Sequence, residues 1–332
     1  MPTLSHLVGR LRFRQLALLV ALDEHRNLHR AAQAVHLAQP SATKLVHDLE
    51  QLFGVPLFER LPRGMQPTEL GTEVLAFAKR MLVDLQRFSE DLDNKQRGGY
   101  GHLVIGAIMG AAPDVVARAV ADIKKQRPLL AVRLMGETSD EIVELLLERK
   151  IDLAVGRFSS PLQHNVINYE VLGNELLYIV ARTAHPFADA RRLQLSMLEH
   201  SPWILQTLPS PARQIIEQEF GQAGMKTPAN IVECTSIFAT LQLLQKTDAV
   251  TMLPESVVRD HLVAGLLVRL PLAIGKSLPE FGILSRRDEP LSQTAVDFVQ
   301  SLRRYAALME QEQVRAAQAK PERRRRHRRK SS

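Results

Sequence analysis

The sequence predicts a multidomain chain: an all-α head with a small wing, one long linker helix, then an α/β body. Three observations predict it. The length of 332 residues exceeds what one compact domain usually holds. Residues 69–97 form one long amphipathic stretch, preceded by short helical segments and a Pro/Gly-punctuated hairpin at 11–68. Residues 100–306 alternate short apolar runs with helical periods, the pattern of α/β layers.

Composition bounds the class. Hydrophobic residues make up 45 % and charged residues 24 %, which excludes a wholly disordered chain. No run of 18 or more apolar residues is present, so no membrane partner is expected. Met1 to Arg10 is too polar for a signal peptide, and Cys234 is the only cysteine, which rules out an internal disulfide and a multi-cysteine zinc site. These features predict a cytoplasmic protein without a cofactor or metal.

The net charge of +7 comes from one place. Residues 311–332 hold nine basic residues and two acids, a balance equal to that of the whole chain, so residues 1–310 sum to zero. The segment 310–332 is Gln-, Ala- and Arg-rich with no apolar face and is expected to be a disordered basic tail. It reads either as a solvated terminus or as a non-specific DNA contact.

In the head, Phe13, Leu16, Leu19 and Val20 give a helical stripe ending near Asp23. A short alanine-rich helix is expected over Arg30 to Val35, and His36-Leu37 form a tight break. The third helix starts near Gln39, with Pro40 in its first turn and Ala42, Leu45, Val46, Leu49, Leu52 and Phe53 on one face. Gly54 supplies its left-handed stop. Two helices across so short a turn form a helix-turn-helix. The uncovered face of the second, Gln39, Ser41, Thr43, Lys44, His47 and Asp48, offers an amide, hydroxyls and a cation suited to base edges and phosphates. Periodicity alone leaves open a solvated face in an ordinary bundle. Leu57 to Arg60 and Met65 to Pro67, around Pro62-Arg63-Gly64, read as a hairpin that brings Arg60 and Arg63 towards a DNA backbone or minor groove.

From Thr68, a plausible N-cap, apolar positions run Leu70, Val74, Phe77, Met81, Leu85, Phe88 and Leu92, close to a heptad seam. So long a helix needs a partner for that face, either the chain's own body or a second copy. Gly98-Gly99 break it.

The body reads as strands and helices in alternation, with mainly parallel sheets: strands at 103–106, 131–134, 152–155, 176–181 and 249–253, helices near Pro113 and at 139–148, 213–223 and 237–245. Ligands of open α/β sheets lie at strand carboxyl ends, where helix N-termini offer free N–H groups. Three junctions fit: Met109-Gly110-Ala111, Thr138-Ser139 and Thr235-Ser236, with Gln206, Thr207 and Arg157 in adjoining loops. This chemistry suits a small carboxylate or polyhydroxy ligand, although Ser and Thr there are also ordinary N-caps.

The residues Arg30-Ala31-Ala32, Leu37 to Lys44, Leu49-Glu50, Leu57-Phe58-Glu59-Arg60, Arg63-Gly64 and Thr68 to Gly71 together resemble the LysR-type signature. The resemblance implies a winged helix-turn-helix DNA-binding domain at 11–68, in which Arg30, Gln39, Pro40, Ser41, Thr43, Lys44, His47, Arg60 and Arg63 contact DNA. It implies a dimerising linker helix at 69–97. It also implies a periplasmic-binding-protein-like effector domain at 100–306, with lobe I at about 100–172 and 276–306 and lobe II at about 173–275. Partners would be double-stranded promoter or operator DNA, a small-molecule effector, further copies in a homodimer or homotetramer, and RNA polymerase. Two departures stand where the family often has a capping hydroxyl: His29 and Ala38.

The segment Pro202 to Leu205, with Leu244 to Asp248 and Leu253-Pro254, is similar to a branch that regulates sugar-uptake and aromatic-acid catabolism genes. An effector that is sugar-derived or an aromatic carboxylate follows from that similarity. The competing reading is a cytoplasmic solute-binding or enzymatic α/β protein without DNA binding. Against an enzyme, Ser41-Ala42-Thr43-Lys44 has the Ser-x-x-Lys spacing but no companion Lys-Thr-Gly, and no nucleophile elbow or phosphate loop appears.

Overall fold

A computed structural model describes residues 3–62, 64–96, 101–136, 138–158, 160–208, 210–272 and 278–329. The chain divides into two compact units, residues 1–102 with 147–150, and 103–146 with 151–332.

The first unit contains α1 (Leu4–Arg10), α2 (Phe13–His25), α3 (Leu28–Ala34), α4 (Gln39–Phe53), the hairpin β1 (Phe58–Leu61) and β2 (Gly64–Pro67), and α5 (Glu69–Gln96). Its core joins Leu18, Leu19 and Leu22 of α2, Ala31 and Ala32 of α3, Ala42, Val46 and Leu49 of α4, and Leu75 of α5. The alanines of α3 allow the close approach that a short helix needs to share one core with two longer ones. Phe13, expected on the buried stripe, is instead 48 % exposed, because it occupies the first position of α2.

Two helix starts differ from expectation. Helix α3 begins at Leu28, two residues early, because the Asn27 side chain accepts the Arg30 N–H at 3.1 Å. Asn27 is therefore the cap, and His29 lies inside the helix. The short helix α1, lying ahead of the expected head, buries none of its residues.

The second unit runs β3 (His102–Ala107), a π-turn at Ala112–Val116, α6 (Ala117–Gln126), β4 (Ala131–Gly136), α7 (Ser139–Leu147), β5 (Leu153–Gly156), β6 (Ile167–Gly173) and β7 (Leu177–Arg182). It continues with β8 (Trp203–Leu205), α8 (Pro211–Gln222), β9 (Ile231–Glu233), α9 (Ile237–Lys246), β10 (Thr251–Pro254), α10 (Glu255–Val263), β11 (Leu267–Arg269), β12 (Phe281–Arg286) and α11 (Gln293–Arg329). One lobe is built on a five-stranded sheet, β4-β3-β5-β12-β6, with Phe298 and Leu302 of α11 in its core. The other combines β10-β7-β11 with β8-β9 around Trp203, which meets Phe220 edge to face at 5.0 Å.

Strand direction corrects the expectation of mainly parallel sheets. Only β3–β5 and β8–β9 are parallel among the strand pairs with assigned direction in this unit, whereas β12 runs antiparallel to β5 and β6, and β7 antiparallel to β10 and β11. The chain enters and leaves the second lobe through β6, β7 and β12, and a strand arriving from the other lobe inserts against the local direction. The crossover lies between β6 and β7, at residues 174–176. The return follows Leu278, which is buried in the second lobe's core, and precedes Phe281. The expected helix break at Gly98-Gly99 and the first half of the expected return at residues 276–279 lie outside the described residues.

Where a disordered tail is expected, α11 is drawn as helix through Arg329. Beyond residue 310 the sequence is dense in Gln, Glu, Ala and Arg, all good helix formers, and continues a helix already anchored in the first lobe.

Candidate DNA interface and effector cleft

The first unit turns one polar face outwards. Gln39, Pro40, Ser41, Thr43, Lys44 and His47 of α4 are all exposed, as are Arg30 on α3 and Arg60 on β1; Arg63 lies outside the described residues. Asp48 is half-buried and drops out of that face. The turn that aims α4 is held by His36 in the left-handed region, φ 54°, and by the Leu37 N–H donating to Ala32 O at 2.8 Å. Arg14 donates to the His36 carbonyl at 3.0 Å, fastening the same turn from α2.

Side chains along α4 are partly committed. The Thr43 hydroxyl donates to Gln39 O at 3.0 Å, so it meets a base edge only as an acceptor. His47 Nε2 is 2.9 Å from Gln51 Nε2, which orients the ring. Thr43, His47, Glu50 and Arg60 line a hollow of about 170 Å³ between α3, α4 and the hairpin. Helix and wing thus converge on one surface. Ala38 caps α4 with extended backbone but no side-chain hydrogen bond, as its sequence position implies.

Helix α5 buries Leu75 and Ala78. The expected seam is a different face: Leu70, Leu85, Phe88 and Leu92 are exposed, and Val74, Phe77 and Met81 half-buried. Phe88 alone is 60 % exposed, an apolar surface that water disfavours.

In the second unit the expected effector residues separate into three groups. Met109, Gly110 and Ala111 follow β3, and Gln206 reaches across to the Met109 sulfur at 3.5 Å. Gln206 and Thr207 follow β8, and Thr235 and Ser236 follow the parallel neighbour β9; the Cys234 N–H donates to Leu205 O at 2.9 Å, so both strand ends open on one edge. Met109 and the half-buried Cys234 pack against the same apolar cluster of the second lobe. Ser236 caps α9 by accepting the Ala239 N–H at 3.3 Å.

Thr138 and Ser139 form the second group. Thr138 donates to Glu141 Oε2 at 2.7 Å, and the Glu141 N–H points back to its hydroxyl at 3.4 Å, a capping box at the start of α7. No described hydrogen bond joins this junction to the Met109–Gln206 group.

Arg157 is the third. It is not an open guanidinium: it is buried, ion-paired with Glu175, and donates from Nε to Pro279 O at 2.7 Å. Glu175 belongs to the crossover and Pro279 to the return, so Arg157 staples both connections between the lobes. A side chain in the low-dielectric interior is retained as an ion only with such a partner, and here Glu175 supplies it. Gly110 makes room for the pair, since a Cβ there would meet Glu175 Oε1 at 1.4 Å. A larger depression of about 540 Å³, lined by Asn168, Ser285 and Arg287 among others, is open surface and involves none of the expected residues.

A second ionic cluster links the lobes. The buried Asp114 takes Arg118 at 2.8 Å and Arg259 of α10 at 2.5 Å, and Ser256 donates to Gly110 O at 2.7 Å. The Arg259 pKa is raised above its ordinary value, first by its hydrogen bonds to Glu255 and then by those to Asp114.

Residues 13–72 match the bacterial regulatory helix-turn-helix domain of the LysR family, and residues 96–307 match the LysR substrate binding domain. The chain belongs to the LysR family. Regulator GbpR of Azospirillum brasilense is 34 % identical over 303 residues, covering 91 % of this chain and 89 % of that protein. Regulator YdcI of Escherichia coli (strain K12) is 29 % identical, covering 89 % and 96 %. The crystal structure of CbnR, a LysR family transcriptional regulator, superposes with a TM-score of 0.61 at 25 % identity, covering 89 % of this chain and 99 % of that one. As a LysR family member, the chain is a DNA-binding transcriptional regulator with an effector-binding domain. No described helix is long and apolar enough to cross a membrane.

Several residues that shape these LysR sites escaped sequence reasoning. Asn27 is missed because the expected start of α3 lies two residues late. Arg14 acts on a turn 22 residues away. Asp114 and Arg259 are 145 residues apart, and nothing local pairs them. Glu50 was visible only as part of the signature.

Proposed function

We propose that the protein binds a two-fold operator as a dimer joined along α5, and that a small molecule in the lobe cleft alters the placement of its DNA-binding units. The observation that carries this reading is the convergence of Thr43, His47 and Arg60 on one exposed surface of a chain that also has an effector-type α/β body. Recognition would use Gln39, Ser41, Thr43 and Lys44 at base edges and Arg30, Arg60 and Arg63 at phosphates. The apolar positions Leu70, Val74, Phe77, Met81, Leu85, Phe88 and Leu92 would be covered by the same seam of a second copy. It acts in the cytoplasm, by binding rather than by catalysis.

The effector is a small sugar-derived or aromatic carboxylate, held by Met109 and Gln206 with Thr207, Thr235 and Ser236, and by free N–H groups at the start of α9. Lobe closure on it would shift the subunits and the bend of the DNA.

The test is a gel shift of the full chain on the DNA upstream of its own gene. Replacing Lys44→Ala and Arg60→Ala together should weaken binding by at least about tenfold; unchanged affinity would rule out the proposed interface. Thermal-shift measurements with sugar acids and aromatic acids test the cleft: stabilisation by a bound compound is expected, and a Gln206→Ala variant should lose it.

A further inference from the structure

Glu50 stands on α4 one turn beyond His47, half-buried in the hollow that Thr43, His47 and Arg60 also line, and its carboxylate turns to the wing. Its Oε1 accepts the N–H of Leu57 at 2.9 Å and of Phe58 at 3.4 Å, the two residues at the root of the wing. Its own carbonyl accepts the Gly54 and Val55 N–H groups at 2.8 and 3.2 Å, closing α4. The same root is held from the other side. Thr68 donates its N–H to Leu57 O at 3.0 Å and its hydroxyl to Pro56 O at 2.9 Å, and accepts the Gly71 N–H at 2.9 Å to start α5. Gly71 is required by this packing: a Cβ there would lie 2.0 Å from Leu57 O.

Residues 56–58 are thus clamped between the end of the recognition helix and the start of the linker helix. The wing is otherwise short, four residues per strand, and a two-stranded hairpin has little stability of its own. A carboxylate that takes two backbone N–H groups makes stronger and more directional bonds than a neutral acceptor.

We infer that Glu50 is a positioning residue for DNA recognition: it sets where Arg60 stands relative to Thr43 and His47, without touching DNA itself. This rests on the proposed contact of Arg60 with DNA. It also explains why an acid is kept so close to a surface that must accept phosphates. Its charge is committed to the wing root, and its side chain is half-buried.

The experiment uses the full chain and a duplex from its own upstream region, with salt-dependent gel shifts and thermal unfolding of each variant. Arg60→Ala should weaken binding about tenfold in the native background and less than about threefold in a Glu50→Ala background, because the wing is already displaced. Glu50→Gln, which keeps one acceptor, should recover most of the affinity and of the Arg60 effect. Equal costs of Arg60→Ala in both backgrounds overturn the inference while leaving the wing contact standing. Arg60→Ala without effect in the native background overturns the wing contact itself. If Glu50→Ala unfolds below the assay temperature, Glu50→Asp, whose carboxylate is one methylene too short for the wing root, carries the test: a reduced Arg60→Ala cost in that background supports positioning, and a fully additive cost overturns it.

Discussion

Asp114 of the π-turn and Arg259 of α10 meet at 2.5 Å, joining the first lobe of the effector domain to the second by one buried carboxylate. Arg118 occupies the other oxygen at 2.8 Å, and Glu255 holds the far edge of Arg259 at 2.7 Å. Removing one member of such a network leaves a buried charge underpaired, which typically costs about 3–5 kcal/mol.

Cys234 turns this clasp into something measurable. It is the chain's only cysteine, half-buried beside the cluster that also packs Met109. Arg259→Ala should loosen the lobes and raise the rate of Cys234 modification by a thiol reagent several-fold at fixed pH. An unchanged rate would show that the clasp does not govern access to the cleft.

Gly110 is tied to the Arg157–Glu175 pair by contact rather than by backbone conformation, since a Cβ would stand 1.4 Å from Glu175 Oε1. Gly110→Ala should therefore lower stability by roughly 1–3 kcal/mol, the usual cost of overpacking. Glu175→Ala relieves the clash but strands Arg157, so the double variant should be no more stable than Gly110→Ala. Urea unfolding midpoints of the three variants decide it.

Helix caps give a prediction of opposite signs. Asn27→Ala removes the bond to the Arg30 N–H and should cost about 1 kcal/mol. Ala38 has the extended backbone of a cap, φ −69° and ψ 143°, but no capping oxygen. Ala38→Ser should therefore stabilise the first unit by about 0.5–1 kcal/mol in calorimetry. A destabilised Ala38→Ser protein would show that the first turn of α4 is held by something other than its free N–H groups.

His185 should make stability pH-dependent in the mildly acidic range. Burial lowers its pKa from the ordinary 6.5, with Asp248 opposing the shift. Its Nδ1 accepts the Phe187 N–H at 3.1 Å, a bond open only to the neutral ring. The unfolded chain then holds more protons than the folded one, so stability is full above the ordinary histidine pKa and falls as pH drops towards the folded value. The carboxylates with lowered values, Asp122 held by Ser301 and Glu170 held by Arg303, act only further down, below their ordinary 3.8 and 4.5. Between about pH 7.5 and 5.5 the native protein should lose more stability than His185→Leu in urea unfolding. Equal losses would remove His185 from the account.

Much of the architecture could be read along the chain because the signals are local. The apolar period of α4, the left-handed Gly54, the turn at His36 and the heptad-like positions of α5 each depend on residues within one or two turns. The exposed recognition face followed from the same period, since residues not needed for the core point outwards. What the sequence by itself determined was therefore the order of the parts, the exposed polar face of α4 and the family. Tertiary structure alone decided which polar groups remain free. Arg157 finds Glu175 only because the crossover brings the two together, and β12 runs antiparallel because the chain returns from the other lobe. Asp114 found Arg259, and Glu50 the wing root, through folding that no local period records. A charge in the interior must find its counter-charge wherever the fold brings one, and that choice is made in space rather than along the chain.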